Sequence, residues 1–192
     1  MPSEHTTQHT LAKTLARIQA SLALLILLGL AGLDFFFPTS YRLQAGLHGL
    51  TTISALVVGT FLTHRAYPLI RGVHCNLDTL RRWLLGAVAL NFLGAISGNW
   101  MYMRYRGQDG PKDWIRANVP AFQNVLMEFK EFVSLFPFPL MLSATFIVFY
   151  YGTAMHVRRD LSQFVGILIL VSWLFLLLGF VAGLVLAKLR FV

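Results

Sequence analysis

Apolar runs long enough to cross a lipid bilayer recur along this chain and limit its possible folds more than any other feature. A helix that spans a membrane needs about 20 mostly apolar residues. Five suitable runs occur, at residues 17–37, 43–64, 82–102, 121–151 and 164–187. In lipid, a helix satisfies its own backbone amides. We therefore expect an all-α, polytopic membrane bundle of about five transmembrane helices, forming a single domain over residues 1–192.

Composition favours a membrane protein and argues against one that binds nucleic acid. Hydrophobic residues make up 56% of the chain and charged residues only 12%, whereas a soluble domain carries about 25% charged residues. The net charge is +8, but the basic residues stand in short clusters between the apolar runs and build no continuous basic face. Such clusters suit membrane insertion and contact with anionic lipid. We expect the lipid bilayer and other membrane subunits as partners, and no nucleic acid.

The first run and the loops indicate where the protein is located. Lys13 and Arg17 precede the first run, as in a signal peptide, but no small-x-small cleavage site follows before Phe35. We therefore expect an uncleaved first helix. The loop around residues 65–81 is the most basic of the short loops, which favours a cytoplasmic N-terminus. We expect an integral protein of a bacterial inner (plasma) membrane.

Small residues and prolines indicate how the helices are arranged. Gly, Ala, Ser and Thr are frequent in the second and third runs, which allows close helix packing and favours central positions. The leucine-rich last run is expected at the periphery. Pro137 and Pro139 should kink the fourth helix, because each proline removes an amide donor. A short interfacial helix is expected around residues 112–116, where Trp114 lies between charged residues.

Three charged residues at the start of the fourth run are candidates for function, because charge in a membrane segment is expensive. Glu128 and Glu131 are three residues apart and should share a helical face, whereas Lys130 should point elsewhere. Three interpretations stay open for the two carboxylates. They could pair with nearby bases at the interface, act as proton-linked catalytic groups in quinol chemistry, or bind a metal together with His48.

Histidines are the candidate ligands for a haem or a metal. His48 lies between Gly46 and Gly49, which would leave space beside it for a large group. It could ligate a haem or a metal, or be a structural histidine bonded across helices. On the other side of the membrane, His64 and His156 form a second candidate pair. They could likewise ligate a b-type haem or a metal, or be ordinary loop histidines.

Further residues could line the same cofactor sites. His74 is a spare histidine near His64, and Arg82 could pair with haem propionates or lipid phosphates. Trp100 belongs to an aromatic stretch that could be a membrane-interface belt or one wall of a quinone or haem-edge site. Cys75 is the single cysteine; it could be an unmodified loop thiol, or a site of S-acylation or metal binding. The sequence contains none of the common nucleotide-binding or hydrolase motifs, so an autonomous enzyme is not expected.

The pattern of residues 47–183 resembles small histidine-bearing, multi-helix membrane cytochrome b-like proteins and the related membrane proteins of haem–copper oxidase assembly. The shared features are a Gly-rich helix with His48, a basic loop with His74, an aromatic helix end near Trp100 and a His-Arg loop at His156. Where such families tend to place further histidines, this chain has Asn99, Met101, Glu128 and Glu131. The resemblance implies a b-type haem or a quinone.

These features together predict an accessory or electron-transfer subunit of a membrane redox or respiratory complex. In that interpretation His48, His64 and His156 are the candidate ligands, and Glu128 with Glu131 is the proton-linked pair. A non-catalytic structural or assembly protein, with no cofactor, is the first alternative. A small carboxylate-dependent ion transporter, built on the kinked fourth helix, is the second.

Overall fold

The structure, a computed structural model, describes residues 41–73, 75–108 and 110–190, together with ten positions between 17 and 36. Those ten positions are helical, and the rest of the predicted first helix lies outside the described residues, as does His74. The chain divides into two compact units, residues 1–40 and residues 41–192. The helices described below all belong to the second unit.

The second unit consists of helices, and no β-strand occurs in the described ranges. Six α-helices follow one another: α1 (Tyr41–Ile70), α2 (Leu77–Tyr105), α3 (Pro111–Asn118), α4 (Glu128–Ser134), α5 (Pro137–Tyr151) and α6 (Arg159–Arg190). A π-helix, Phe122–Met127, leads into α4, and a 3-10 helix, Gly152–His156, follows α5. The short helix predicted around residues 112–116 is present as α3.

Four helical stretches of the described chain are long and apolar enough to cross a membrane. They run over Arg42–Ile70, Leu77–Tyr105, Phe122–His156 and Arg159–Leu189. The predicted all-α membrane bundle is therefore confirmed. The helices extend beyond the predicted apolar runs, because capping interactions of the backbone determine where a helix ends. A fall in hydrophobicity does not. At the start of α2, for example, the Asn76 side chain accepts a hydrogen bond of 3.0 Å from the Thr79 amide.

The fourth span is interrupted at the predicted proline kink. Helix α4 ends at Ser134, and α5 begins at Pro137, which takes the first helical position. Proline suits that position because the amide it lacks would have no partner there. The carbonyl of Pro137 accepts a hydrogen bond of 2.9 Å from the hydroxyl of Ser172 on α6. The break is thus held against the last span by a buried polar contact.

The last span packs against several other helices, although its leucine content suggested that it could be peripheral. Helix α6 packs against α1, α4 and α5, and α1 also packs against α2. The largest apolar core lies among α1, α2, α5 and α6. Its fully buried side chains include Leu62, Leu84, Val148, Val165 and Ile169. Leucine content suggested contact with lipid, but the glycines of α6 allow neighbouring helices to approach it closely.

Gly166 shows how close α1 and α6 lie. A Cβ atom at Gly166 would stand 2.6 Å from Cγ1 of Ile70 and 3.0 Å from the carbonyl oxygen of Ala66. Two polar contacts fix the same pair of helices. Gln163 Nε2 donates to the Ile70 carbonyl at 3.0 Å, and Trp173 Nε1 donates to the Thr60 hydroxyl at 3.0 Å.

Replacing Gly166 should separate α1 from α6. We expect Gly166→Ala to lower the free energy of unfolding by about 1–3 kcal/mol, because the added methyl group meets a backbone oxygen that cannot move aside. Thermal unfolding in detergent measures the effect. Gly46→Ala is the matched control, since nothing lies within 4 Å of a Cβ at Gly46. Equal melting temperatures for the two variants would contradict the close contact.

Candidate functional site

The predicted site residues separate into two groups at opposite ends of the bundle. One end of the bundle holds the first residues of α1 and α4 and the last residues of α2 and α6. We name this end of the bundle the Glu131 end. It holds His48, Trp100 and Glu131, with Glu128 on the outer side. The opposite end holds His64, Arg82 and His156. The sixteen residues between His48 and His64 correspond to about 24 Å along α1, so one cofactor cannot contact both histidines.

His48 is fixed between α1 and α2 by a contact with the backbone. Its Nδ1 lies 3.1 Å from the carbonyl oxygen of Gly94 and 3.3 Å from the hydroxyl oxygen of Ser97. Because a carbonyl only accepts, the contact with Gly94 requires the proton on Nδ1. The Nε2 lone pair is then available as an acceptor. A backbone contact of this kind also orients histidines that ligate metals.

The space for this imidazole is provided by a glycine of α2, and not by the two glycines of α1 that the sequence suggested. A Cβ at Gly98 on α2 would stand 2.8 Å from Cε1 of His48, so the ring lies flush against that helix. Gly46 and Gly49, which flank His48 in the chain, have nothing within 4 Å of a Cβ. They leave open space on α1 and do not contact the imidazole.

Lys130, and not the glutamate pair, faces into the bundle at this end. A Cβ at Gly183 on α6 would lie 3.4 Å from Lys130 Cε, and the lysine charge acts electrostatically on His48. Glu128 is exposed. The sequence contained the signal for this arrangement, because Lys130 is three residues from both Met127 and Val133, which are buried.

Glu131 lies at the boundary of the bundle beside a basic and an aromatic side chain. Its Oε2 is 4.0 Å from Nη2 of Arg106, and its side chain is 31% exposed. The Arg106 guanidinium stands 4.3 Å from the ring centroid of Tyr102, and the Tyr102 hydroxyl interacts electrostatically with both charged groups. This geometry matches the interfacial interpretation, in which the carboxylate pairs with a neighbouring arginine. Glu131 Oε1 is nevertheless buried and makes no hydrogen bond within the described chain.

Gln44 is the polar residue that sequence reasoning missed. It lies one turn before His48 on α1 and is fully buried. Neither the amide nitrogen nor the amide oxygen has a hydrogen-bond partner among the described residues. A buried amide without partners costs roughly 1–3 kcal/mol. The spacing of four residues to His48 was the available signal, because it places both side chains on one helical face.

Two further contacts close the Glu131 end. The Tyr105 hydroxyl donates a short hydrogen bond to Oε1 of Gln123, which ties α2 to the π-helix. Trp100 is only 2% exposed, so it lies inside the bundle, unlike a residue of an interfacial aromatic belt. A small apolar cluster around Ile115 and Met127 packs beneath these contacts.

The candidate ligands described at the opposite end lie at the surface of the protein. His64, Arg82 and His156 are exposed. Cys75 shares a small enclosed space with His156 and Arg159, and burial raises the pKa of its thiol. A thiol of raised pKa is protonated at neutral pH and is a poor nucleophile or metal ligand. Throughout the described ranges, no three His, Cys, Asp or Glu residues are grouped so as to hold a metal ion.

Comparison with known proteins adds no identity to these observations. No protein family, no curated protein and no solved structure matches this chain.

The buried amide of Gln44 should reduce the stability of the isolated protein. We expect Gln44→Leu to raise the melting temperature in detergent, because it removes a buried polar group that has no partner among the described residues, worth roughly 1–3 kcal/mol. Gln123→Leu is the matched control. It should lower the melting temperature, since Gln123 accepts a hydrogen bond from the Tyr105 hydroxyl. A loss of stability in Gln44→Leu would mean that the amide has a partner.

Proposed function

We propose that the protein is an accessory or electron-transfer subunit of a membrane redox complex, and that its Glu131 end binds the head group of a quinone. The observation that supports this is the Gln44 amide, which is buried in an apolar membrane span without a hydrogen-bond partner among the described residues. His48 lies one turn further along the same helix, and the charge of Lys130 acts on it electrostatically. Polar side chains at such positions are expensive and mark ligand or proton pathways. The Gln44 amide adds no hydrogen bond to the stability of the fold among the described residues, which favours a ligand as the reason for its presence.

A quinone fits the chemistry of these three side chains. Its ring is flat and apolar, and its two carbonyl oxygens accept hydrogen bonds. Lys130 offers three donors and the Gln44 amide two more. His48 offers the complementary property, because its Nδ1 proton faces Gly94 and its Nε2 accepts. Lys130 and Gln44 would therefore bind the oxidised carbonyls, and His48 would accept a proton from the reduced hydroxyl.

Oxidation of the quinol releases two electrons and two protons. The electrons would pass to a cofactor of a partner subunit, which is why the chain is proposed as an accessory and not as a separate enzyme. Glu131 is the proton-linked group in this scheme, since it follows Lys130 directly and is partly open to the surface. Glu128 is exposed and would serve only as a surface charge.

A b-type haem is the second candidate, supported by one feature of His48. The contact between its Nδ1 and a backbone carbonyl is typical of ligating histidines. The other described histidines, His64 and His156, lie at the opposite end. The second axial ligand would therefore come from outside the described ranges or from a partner subunit.

The location follows the basic loops. The segment that joins α1 and α2 is flanked by Arg65, Arg71, Arg81 and Arg82, and short basic loops stay in the cytoplasm. We propose a bacterial plasma membrane, with this loop and the N-terminus on the cytoplasmic side. The Glu131 end would then face the opposite side of the membrane.

Binding of a short-chain quinone analogue to the detergent-purified protein tests the proposal. We expect Lys130→Met and Gln44→Leu each to weaken binding about tenfold, the effect of losing roughly 1.4 kcal/mol of hydrogen bonding. Glu128→Gln and His64→Gln are the controls and should bind as the unaltered protein does. Failure to bind any quinone, or equal affinity in all variants, would contradict the proposal.

A reduced-minus-oxidised visible spectrum of the same sample separates the two cofactors. We expect no haem band if the site takes a quinone alone. A b-type band that disappears in His48→Ala and persists in His64→Ala would favour the haem. A colourless protein that also binds no quinone would favour the structural or assembly subunit.

A further inference from the structure

An open groove lies on the outer surface of the α1–α2 hairpin, toward the end opposite Glu131. It is lined by Val58 of α1 and by Arg82, Trp83 and Gly86 of α2. Nothing stands within 4 Å of a Cβ at Gly86, so the absence of a side chain there leaves the floor of the groove open. Trp83 forms one wall, and its ring packs against Phe61 with the centroids 4.4 Å apart.

Two arginines near this aromatic pair have no acidic partner among the described residues. Arg82 is exposed at the mouth of the groove, and the Arg65 guanidinium lies 5.2 Å from the Phe61 ring centroid. Within the described chain, neither forms an ion pair, whereas neighbouring Arg81 contacts Asp78 at 3.1 Å. Arg82 thus places a positive charge at the groove itself, and Arg65 places another beside the aromatic pair.

The groove is charged near the membrane surface and apolar deeper in the membrane, and a phospholipid has the same order of charged headgroup and apolar chain. Arg65 and Arg82 lie toward the ends of their helices, and Trp83 is a residue typical of the headgroup layer. Gly86 is one turn deeper in α2, and Val58 is about 10 Å deeper in α1 than Arg65, at 1.5 Å per residue. Cationic groups therefore lie at the surface and apolar groups below them.

We propose that this groove binds one molecule of an anionic phospholipid. The guanidinium groups of Arg82 and Arg65 hold its phosphate, which arginine contacts through two parallel hydrogen bonds. One acyl chain lies over Gly86 and against Val58 and Trp83. Basic pockets between transmembrane helices bind anionic headgroups in this manner. The site is separate from the Glu131 end and does not depend on the quinone proposal.

Charge complementarity favours this lipid over the other possible occupants. A zwitterionic phospholipid carries its own cation, so it brings no net negative charge to offset the two arginines. A helix of a second copy of this chain would have to place an acidic residue beside Arg82. An anionic lipid satisfies both arginines and fills the apolar floor with one molecule.

Native mass spectrometry of the detergent-purified protein, with added phosphatidylglycerol or phosphatidylcholine, tests the proposal. We expect one phosphatidylglycerol to be retained at energies that remove phosphatidylcholine. Arg82→Gln should weaken its binding about fivefold, as expected from roughly 1 kcal/mol per basic residue. Gly86→Leu should weaken it by at least as much, because the added side chain occupies the acyl position without meeting other protein atoms.

Two variants serve as matched controls. Arg71→Gln removes a charge from the same end of the bundle but outside the groove, and Gly46→Leu adds the same side chain at another open glycine. Both should retain phosphatidylglycerol as the unaltered protein does. Equal retention of the two lipids, or retention unaffected by Arg82→Gln and Gly86→Leu, would overturn the proposal. A dimer that Gly86→Leu dissociates, with no loss of lipid, would overturn it in favour of a second copy.

Discussion

Close approach of helices at glycine is the constraint on which the rest of this structure depends. In lipid there is no hydrophobic force between helices, so they associate where small residues let their backbones come together. Gly166 brings α6 against α1, and Gly98 receives the imidazole of His48 on α2. Gly183 receives Lys130 in the same way. The glycines therefore build the bundle and also decide which polar side chains can enter it.

The polar side chains of the Glu131 end are poorly explained by stability alone. Gln44 is fully buried, and its amide has no hydrogen-bond partner among the described residues. Lys130 lies against Gly183, and its charge acts electrostatically on His48. An apolar side chain of similar volume would pack at either position without the cost of burying a polar group. A bound quinone would supply the missing hydrogen bonds, and so would make these residues useful in the complex while they remain unfavourable in the isolated chain.

Much of the fold could be predicted from the sequence, because length and apolarity determine which segments are membrane helices. The break at Pro137 and the short helix α3 were also predictable, since proline and a tryptophan among charges act locally. The packing partners of α6 were not, because hydropathy does not distinguish contact with lipid from contact with protein. Lys130 illustrates the same difficulty within the site. From the sequence it was placed only on a different face from Glu128 and Glu131, whereas its spacing from Met127 and Val133 puts it on the buried face.

The most direct test of the account is to map where a photoreactive quinone analogue attaches to the detergent-purified protein. The Glu131 end brings together segments that are far apart in sequence. A label bound there should therefore attach to peptides from more than one of these segments. We expect it on peptides that contain Gln44 and His48 or Lys130, with loss of labelling when excess quinone competes. Labelling confined to peptides around His64 and His156, or labelling that competing quinone does not reduce, would contradict the account.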